Sequence, residues 1–405
     1  MKFFLFITFF IFIVKSLSIN NQENDNFESL VDNTKVIVKR VPGNILNDSS
    51  EKFYNIISRK KRYVNVYRVR PWTKLIPYYV DKGVDRGLVF NILKNIELET
   101  CLRFKSVDKK SRRNVPLIYK FIKTCSYPKS NRFIHNYVDP KCQTVGYSYR
   151  ETLHMLGLVY EHQRRHRDKY VFINYKVIDR KSKKYFDRVV VSAMDRDEYG
   201  YDYGSVMHPD EHFLATKNVI TLLPANFLFR RTIGQDVYPS FLDFKKINKY
   251  YCSKECKQKI KCQFGGYQHP EVCVICKCVF GHVGPFCERF NKPSRRCPTP
   301  IIAATGTRKI LHAMGYKDCA YLLKASTGKR IGLQVHSGRI FPLSQPFCSP
   351  DNTLEIKHLA DKLPTGVRFC GELAKTNMIS QTNIVYIYYK SRNANSKFVL
   401  TFKEF

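Results

Sequence analysis

No stretch of the 405 residues reads as a membrane span. The apolar run from Phe3 to Val14 is shorter than the roughly 20 residues a spanning helix needs. Lys15 closes it, and Ser16-Leu17-Ser18 offers small residues where a signal peptidase reads, so residues 1–18 are expected to be a signal peptide. Acidic residues are scarce, 34 against 69 basic ones, which leaves a net charge of +35. A surface this basic suits anionic partners such as matrix glycans, although scattered solubilising lysines are the plainer account. No basic stripe carries regular aromatic interleaving and no nucleic-acid module is recognisable, so nucleic-acid binding is not expected. The clusters at 109–113 and 164–169 read as solvated loops.

Cysteine is absent from the leader and abundant later, with 14 in all. An even count in an exported chain reads as a disulfide framework, and the expected location is secreted and extracellular. The cysteines fall into three groups: four from Cys101 to Cys252, six from Cys256 to Cys287, and four from Cys297 to Cys370. This grouping marks the domain boundaries. Residues 19–62 lack cysteine and are rich in Asn, Asp and Ser, with a single glycosylation sequon at Asn47. They end in Arg59-Lys60-Lys61-Arg62, which an exposed basic turn would also produce. Its place between a polar and a hydrophobic segment favours a propeptide cut after Arg62.

Leu75 to Val80 reads as a strand, and Val84 to Cys101 has helical spacing of Leu88, Ile92 and Ile96. A second helix is expected from Glu151 to Leu158, closed by Gly157. After Cys297, short alternating runs such as Ile384–Tyr388 and Phe398–Leu400 suit a β-sandwich.

Residues 146–168 read GYSYRETLHMLGLVYEHQRRHRD. The segment resembles the zinc signature of the astacin metalloproteases, H-E-x-x-H-x-x-G-x-x-H-E. There, two His four apart on one helix face and a third after a Gly-allowed turn hold zinc, and the Glu activates the metal-bound water. Glu151, His154, Gly157 and Glu161 match the pattern. The other two ligand positions are Arg150 and Tyr160. Arginine stays protonated with no lone pair to give, and tyrosine ligates only as a phenolate, with an ordinary pKa of about 10. His162 and His166 lie in the same loop; a shift placing His162 beside His154 would still leave Arg150 in the site, and both read as exposed loop residues.

The resemblance extends further. Tyr201 to His208 is similar to the family's Met-turn, with Met207 as its methionine, but the tyrosine that follows is here Pro209. Trp72, Thr100–Phe104, and Ile233-Gly234-Gln235 through Ser240, Asp243 and Asn248 also match, so the resemblance covers 63–252. It implies bridges Cys101–Cys252 and Cys125–Cys142, and a role for Glu161 as partner of the mature N-terminus, which would be Tyr63. The interval from Cys125 to Cys142 has no glycine, unlike the family's cleft-rimming strand. No family-like aspartate switch occurs between Ile19 and Arg62.

Cys256 to Cys287 resembles an EGF-like module, which implies the pairs Cys256–Cys273, Cys262–Cys276 and Cys278–Cys287. Cys297 to Phe405 resembles a CUB domain, which implies Cys297–Cys319 and Cys348–Cys370. The order is that of nematode-type astacins. The expected chain is multidomain: signal peptide (1–18), propeptide (19–62), α+β metzincin or astacin-like protease domain (63–252), small disulfide-rich EGF-like module (253–288) and all-β CUB sandwich (297–405). The favoured function is a secreted pseudoprotease that binds extracellular proteins or anionic matrix glycans and needs no cofactor. The alternative is an active zinc metalloendopeptidase with Glu151 as general base and His154 as a ligand.

Overall fold

The computed structural model describes residues 72–108, 117–121, 135–138, 144–189 and 199–405. The expected signal peptide, propeptide, Asn47 sequon, Arg62 cleavage, Tyr63 terminus, 109–113 cluster and Cys125–Cys142 bridge all lie outside these residues. No helix among the described residues is long and apolar enough to cross a membrane.

The first domain is built on a parallel sheet. Strand β1 (Leu75–Val80) is flanked by β2 (Arg103–Ser106) and β3 (Leu117–Phe121), and β4 (His135–Val138) adds to β3. The glycine-free interval between Cys125 and Cys142 thus still supplies an edge strand. Parallel neighbours need crossover connections, and helix α1 (Arg86–Glu99) crosses from β1 to β2. Its start is set by Asp85, whose carboxylate accepts the Leu88 N–H at 3.0 Å. Its buried face is Val89, Ile92, Leu93 and Ile96, so the apolar spacing marks the core side.

Helix α2 (Val145–Met155) begins six residues before the expected Glu151. Thr144 is the reason: its hydroxyl accepts the Tyr147 N–H at 3.1 Å and caps the helix there. Gly157 lies just beyond the end with φ of +103°, a conformation costly for any side chain. Short strands β5 (Val171–Ile173) and β6 (Leu222–Pro224) form an antiparallel pair. Helix α3 (Phe241–Tyr251) closes the domain, starts with a reciprocal Ser240–Asp243 capping box, and leads into the Cys101–Cys252 disulfide. Ile76, Ile96, Leu153, Met207 and Ile247 meet in one buried cluster that joins sheet, helices and the Met207 turn.

The segment from Cys256 to Phe290 is a run of short hairpins. Three disulfides hold it, Cys256–Cys273, Cys262–Cys276 and Cys278–Cys287, the pairs that the EGF-like resemblance implies. The C-terminal domain is a two-sheet sandwich. One sheet orders Ile301–Ala303, Lys317–Lys324, Ile384–Ser391, Thr353–Lys357 and Val367–Phe369. The other orders Lys309–Met314, Lys397–Glu404, Ile331–Ile340 and Gly371–Glu372, with Thr376–Ile379 also against Ile331–Ile340. Alternate residues such as Leu333, Val335, Ile387 and Leu400 fill the space between them. The disulfides Cys297–Cys319 and Cys348–Cys370 complete it, again the pairs implied by the CUB resemblance.

Ser240 both caps α3 and donates to the Asp202 carboxylate at 2.7 Å. Ser240→Ala is expected to cost about 1–2 kcal/mol. Urea unfolding followed by the fluorescence of Trp72, the chain's single tryptophan, measures this; an unchanged midpoint would show that the cap is dispensable.

Candidate functional site

The candidate site lies where α2 ends and the chain turns back. The Gly157 N–H bonds the His154 carbonyl and the Leu158 N–H bonds the Leu153 carbonyl, which finishes the helix and reverses the chain. The reversal lays Tyr160 across α2. Its ring stacks on His154 with centroids 4.5 Å apart. Its hydroxyl donates to Glu151 Oε1 at 2.7 Å. Tyr160 and Glu151 are both buried, at 5% and 1% exposure. Burial lifts the Glu151 carboxyl to about 7, against the opposing pull of the Tyr160 bond and of Arg150. His154 Nδ1 donates to the Leu158 carbonyl at 3.1 Å, so Nε2 bears the ring's lone pair. Burial lowers its pKa to about 4.

Arg150 is engaged with the segments around Met207 and Gln235. Its Nε donates to the Val206 carbonyl at 2.7 Å and an Nη to the Gln235 carbonyl at 3.4 Å, with the Asp236 carboxylate 3.7 Å away. The guanidinium therefore stitches α2 to the Met-turn. That turn is pinned from below: Ser205 Oγ donates to Asp243 at 2.6 Å, and the Val206 N–H to the same carboxylate at 3.3 Å. Burial, and then Asp202, raise the Asp243 carboxyl above its usual range. Met207 is wholly buried in the domain core. His208 donates through Nδ1 to the Pro209 carbonyl at 2.7 Å and accepts the Tyr201 hydroxyl on Nε2 at 2.8 Å. Pro209 brings no side-chain oxygen to the site.

Two expectations fail here. His162 is fully buried rather than in an exposed loop. Its Nε2 bonds the Tyr185 carbonyl at 2.9 Å and its ring sits edge-on to Phe186 and Phe213, so it is packed away as core; His166 is exposed. The 164–169 cluster is not simply solvated. Arg164 is buried and donates to Glu161 at 3.0 Å and to the carbonyls of Gly200 and Tyr199. Arg167 is buried on the His162 carbonyl and the Tyr175 hydroxyl. Backbone carbonyls, invisible in the sequence, share these charges with the Glu161 and Asp168 carboxylates.

Glu161 carries a full set of partners. Lys246 donates to Oε1 at 2.5 Å, while Arg164 and the Asp202 N–H, at 3.1 Å, share Oε2. Burial opposes ionisation, but Arg164 and Lys246 together hold the carboxyl down to about 2. Sequence reasoning gives Lys246 no role. Its signal is a lysine among the buried positions of α3, between Phe244 and Ile247.

Among the described residues no group of three or more His, Cys, Asp or Glu could hold a metal ion. With this geometry in hand, residues 64–252 match the astacin peptidase family, and residues 312–402 match the CUB domain. The chain is similar to zinc metalloproteinase nas-34 of Caenorhabditis elegans, 32% identical across 88% of this chain and 59% of that protein. It is also similar to nas-23 of the same organism, 38% identical across 60% of this chain and 47% of the relative. A third is zinc metalloproteinase dpy-31 of Brugia malayi, 29% identical across 72% and 51%. The chain spans about half the length of these curated relatives.

The Glu161 network sets an acid limit. A carboxyl held at about 2, against an ordinary 4.5, stabilises the fold fully above pH 4.5 and progressively less as pH falls toward 2. Lys246→Met is expected to cost roughly 3 kcal/mol at pH 7, because it leaves a buried charge short of a partner. The gap between variant and parent should narrow as pH falls from 4.5 toward 2. Urea titrations at several pH values test this; a gap independent of pH would count against the ion pair.

Proposed function

Residues 64–252 belong to the astacin family, and from that premise we propose that this chain is an exported astacin homologue that has lost zinc-dependent hydrolysis and acts by binding extracellular proteins. The observation that carries the reading is the Tyr160–Glu151 hydrogen bond. Zinc held by protein wants several neutral imidazoles, thiolates or carboxylates converging on one point. Of the three signature positions only His154 keeps an imidazole. Arg150 spends its guanidinium on the Val206 carbonyl, and Tyr160 holds its proton against Glu151. The donor set does not fit zinc.

The general base is compromised by the same contact. A base must be ionised and within reach of the water it deprotonates. Glu151 is buried beneath Tyr160, whose hydroxyl occupies the Oε1 that would take the water's proton. Pro209 removes the phenol that the family pattern places after the Met-turn histidine. What remains serviceable is surface: the CUB sandwich, the EGF-like reading of the 256–287 hairpins, and the basic charge. Binding to anionic glycans would then show as heparin retention that moderate salt abolishes.

One observation favours a second reading, an active zinc endopeptidase with Glu151 as base and His154 as ligand: the relatives are named zinc metalloproteinases. Zinc content decides between the two. The purified secreted chain is expected to carry well under one zinc per molecule and to show no chelator-sensitive peptide cleavage. Stoichiometric zinc with such cleavage would overturn the proposal. The double variant Arg150→His with Tyr160→His rebuilds the three-histidine set and is expected to gain about one zinc per chain relative to the parent.

A further inference from the structure

The strap from Tyr199 to Met207 meets Glu161 on one side, through the Asp202 N–H, and the C-terminal sandwich on the other. The Asp202 carboxylate accepts the Thr365 N–H at 3.0 Å. The strap's backbone lies so close that a β-carbon on Gly204 would collide with Thr365, and one on Gly200 with Asp361. A second seam runs beside it. Arg231 donates to the carbonyls of Cys370 at 2.9 Å and Gln345 at 2.8 Å, and its own carbonyl accepts the Cys348 N–H at 2.7 Å. The Thr232 hydroxyl accepts the Arg368 N–H at 2.9 Å. Burial lowers the Arg231 pKa, as expected of a charge committed to an interface.

The apolar contacts are those of a core rather than of a loose domain contact. Tyr201, Tyr203, Phe229 and Ile233 of the first domain form one buried cluster with Val367 of the sandwich, and Leu359 and Phe369 pack against it. The 256–287 hairpins close the third side. Lys245 donates to the Gly265 carbonyl at 2.8 Å, and Lys277 to Glu99 at 2.7 Å. Phe280 and Phe290 pack on Tyr388 and Tyr386 of the sandwich.

We propose that the sandwich is a wall of the first domain: its Asp361–Phe369 face is committed to the strap that carries the Met-turn, and the two domains unfold and respond as one unit. Linked domains ordinarily keep small, polar interfaces and move independently. Here a shared aromatic core and main-chain bonds cross the boundary. A protein bound to the outer surface of the sandwich would then shift the strap, and with it Asp202 and Glu161, in proportion to its preference for the docked arrangement. The inference does not depend on whether the site holds zinc.

Trp72 provides the test, since the chain's only tryptophan lies in the first domain and its indole N–H bonds the Met155 carbonyl at 2.9 Å. Leu333 lies in the interior of the sandwich, and Leu333→Ala weakens that domain alone if the two are independent. In the full chain, the Trp72 melting midpoint is expected to fall by roughly 5 °C, together with loss of hydrogen-exchange protection in the sandwich. A Trp72 midpoint that stays put while the sandwich loses protection would overturn the proposal. Should Leu333→Ala fail to fold, Arg231→Ala serves: it is expected to split the single transition into two, and one unshifted transition would be the contrary result.

Discussion

Everything in the first domain leans on one buried carboxylate. Glu161 sits directly after Tyr160, and its partners come from three places: Arg164 in the same turn, Asp202 in the strap and Lys246 on α3. A buried charge is costly unless it is paired and fully hydrogen-bonded, and Glu161 meets both conditions. The network does more than satisfy a charge. It fixes the height of the Tyr160 segment above α2 and joins it to the strap. The strap is tied in turn to α3 through the Asp202–Ser240 and Ser205–Asp243 bonds. Geometry at the candidate site rests on these contacts.

The substitutions at the signature positions form a consistent set. A metal ion bound there would link α2 to the segment after the turn. In this chain the Tyr160–Glu151 bond links the same two segments, and the His154–Tyr160 stack adds area to the contact. Arg150 supplies a second link, from α2 to the Met-turn, through the Val206 carbonyl. Each replacement is poor at binding zinc and good at holding two elements together. Removing one member would therefore loosen the fold locally.

Much of this is legible in the sequence, and the failures have physical reasons. The strand Leu75–Val80 and the buried face of α1 follow from pattern alone, because local periodicity reports local structure. The long ordered signature locates the site, since it fixes residue types at many spaced positions. The cysteine pairs of the two downstream modules follow from resemblance too, and Cys262–Cys276 and Cys297–Cys319 form as it implies. The start of α2 escapes the pattern because Thr144, a good cap, is followed by Val145-Gly146-Tyr147-Ser148, where a lone valine makes no apolar stripe. Arg164, Arg167 and His162 read as solvated because charge density argues for exposure by default. Part of what satisfies them is backbone carbonyl, from Tyr185 for His162, Tyr199 and Gly200 for Arg164, and His162 for Arg167, and backbone acceptors leave no trace in residue identity. The contact between the sandwich and the strap is equally hidden, although Gly204 and Gly200 are the residues that permit it.

The Met-turn is held in place by its own contacts with the rest of the domain. Met207 lies in the same apolar cluster as Ile96, Leu153 and Ile247, so its burial stabilises the fold whatever stands above it. Ser205 and Val206 satisfy Asp243, which also caps α3, and losing them would leave a buried carboxyl short of donors. His208 spends both ring nitrogens on Tyr201 and the Pro209 carbonyl. Tyr201 and Tyr203 belong to the aromatic core shared with the sandwich. Each residue of the motif is therefore held by packing or hydrogen bonding that stands without a metal, whereas Arg150, Tyr160 and Pro209, where the family pattern is broken, would face the metal itself.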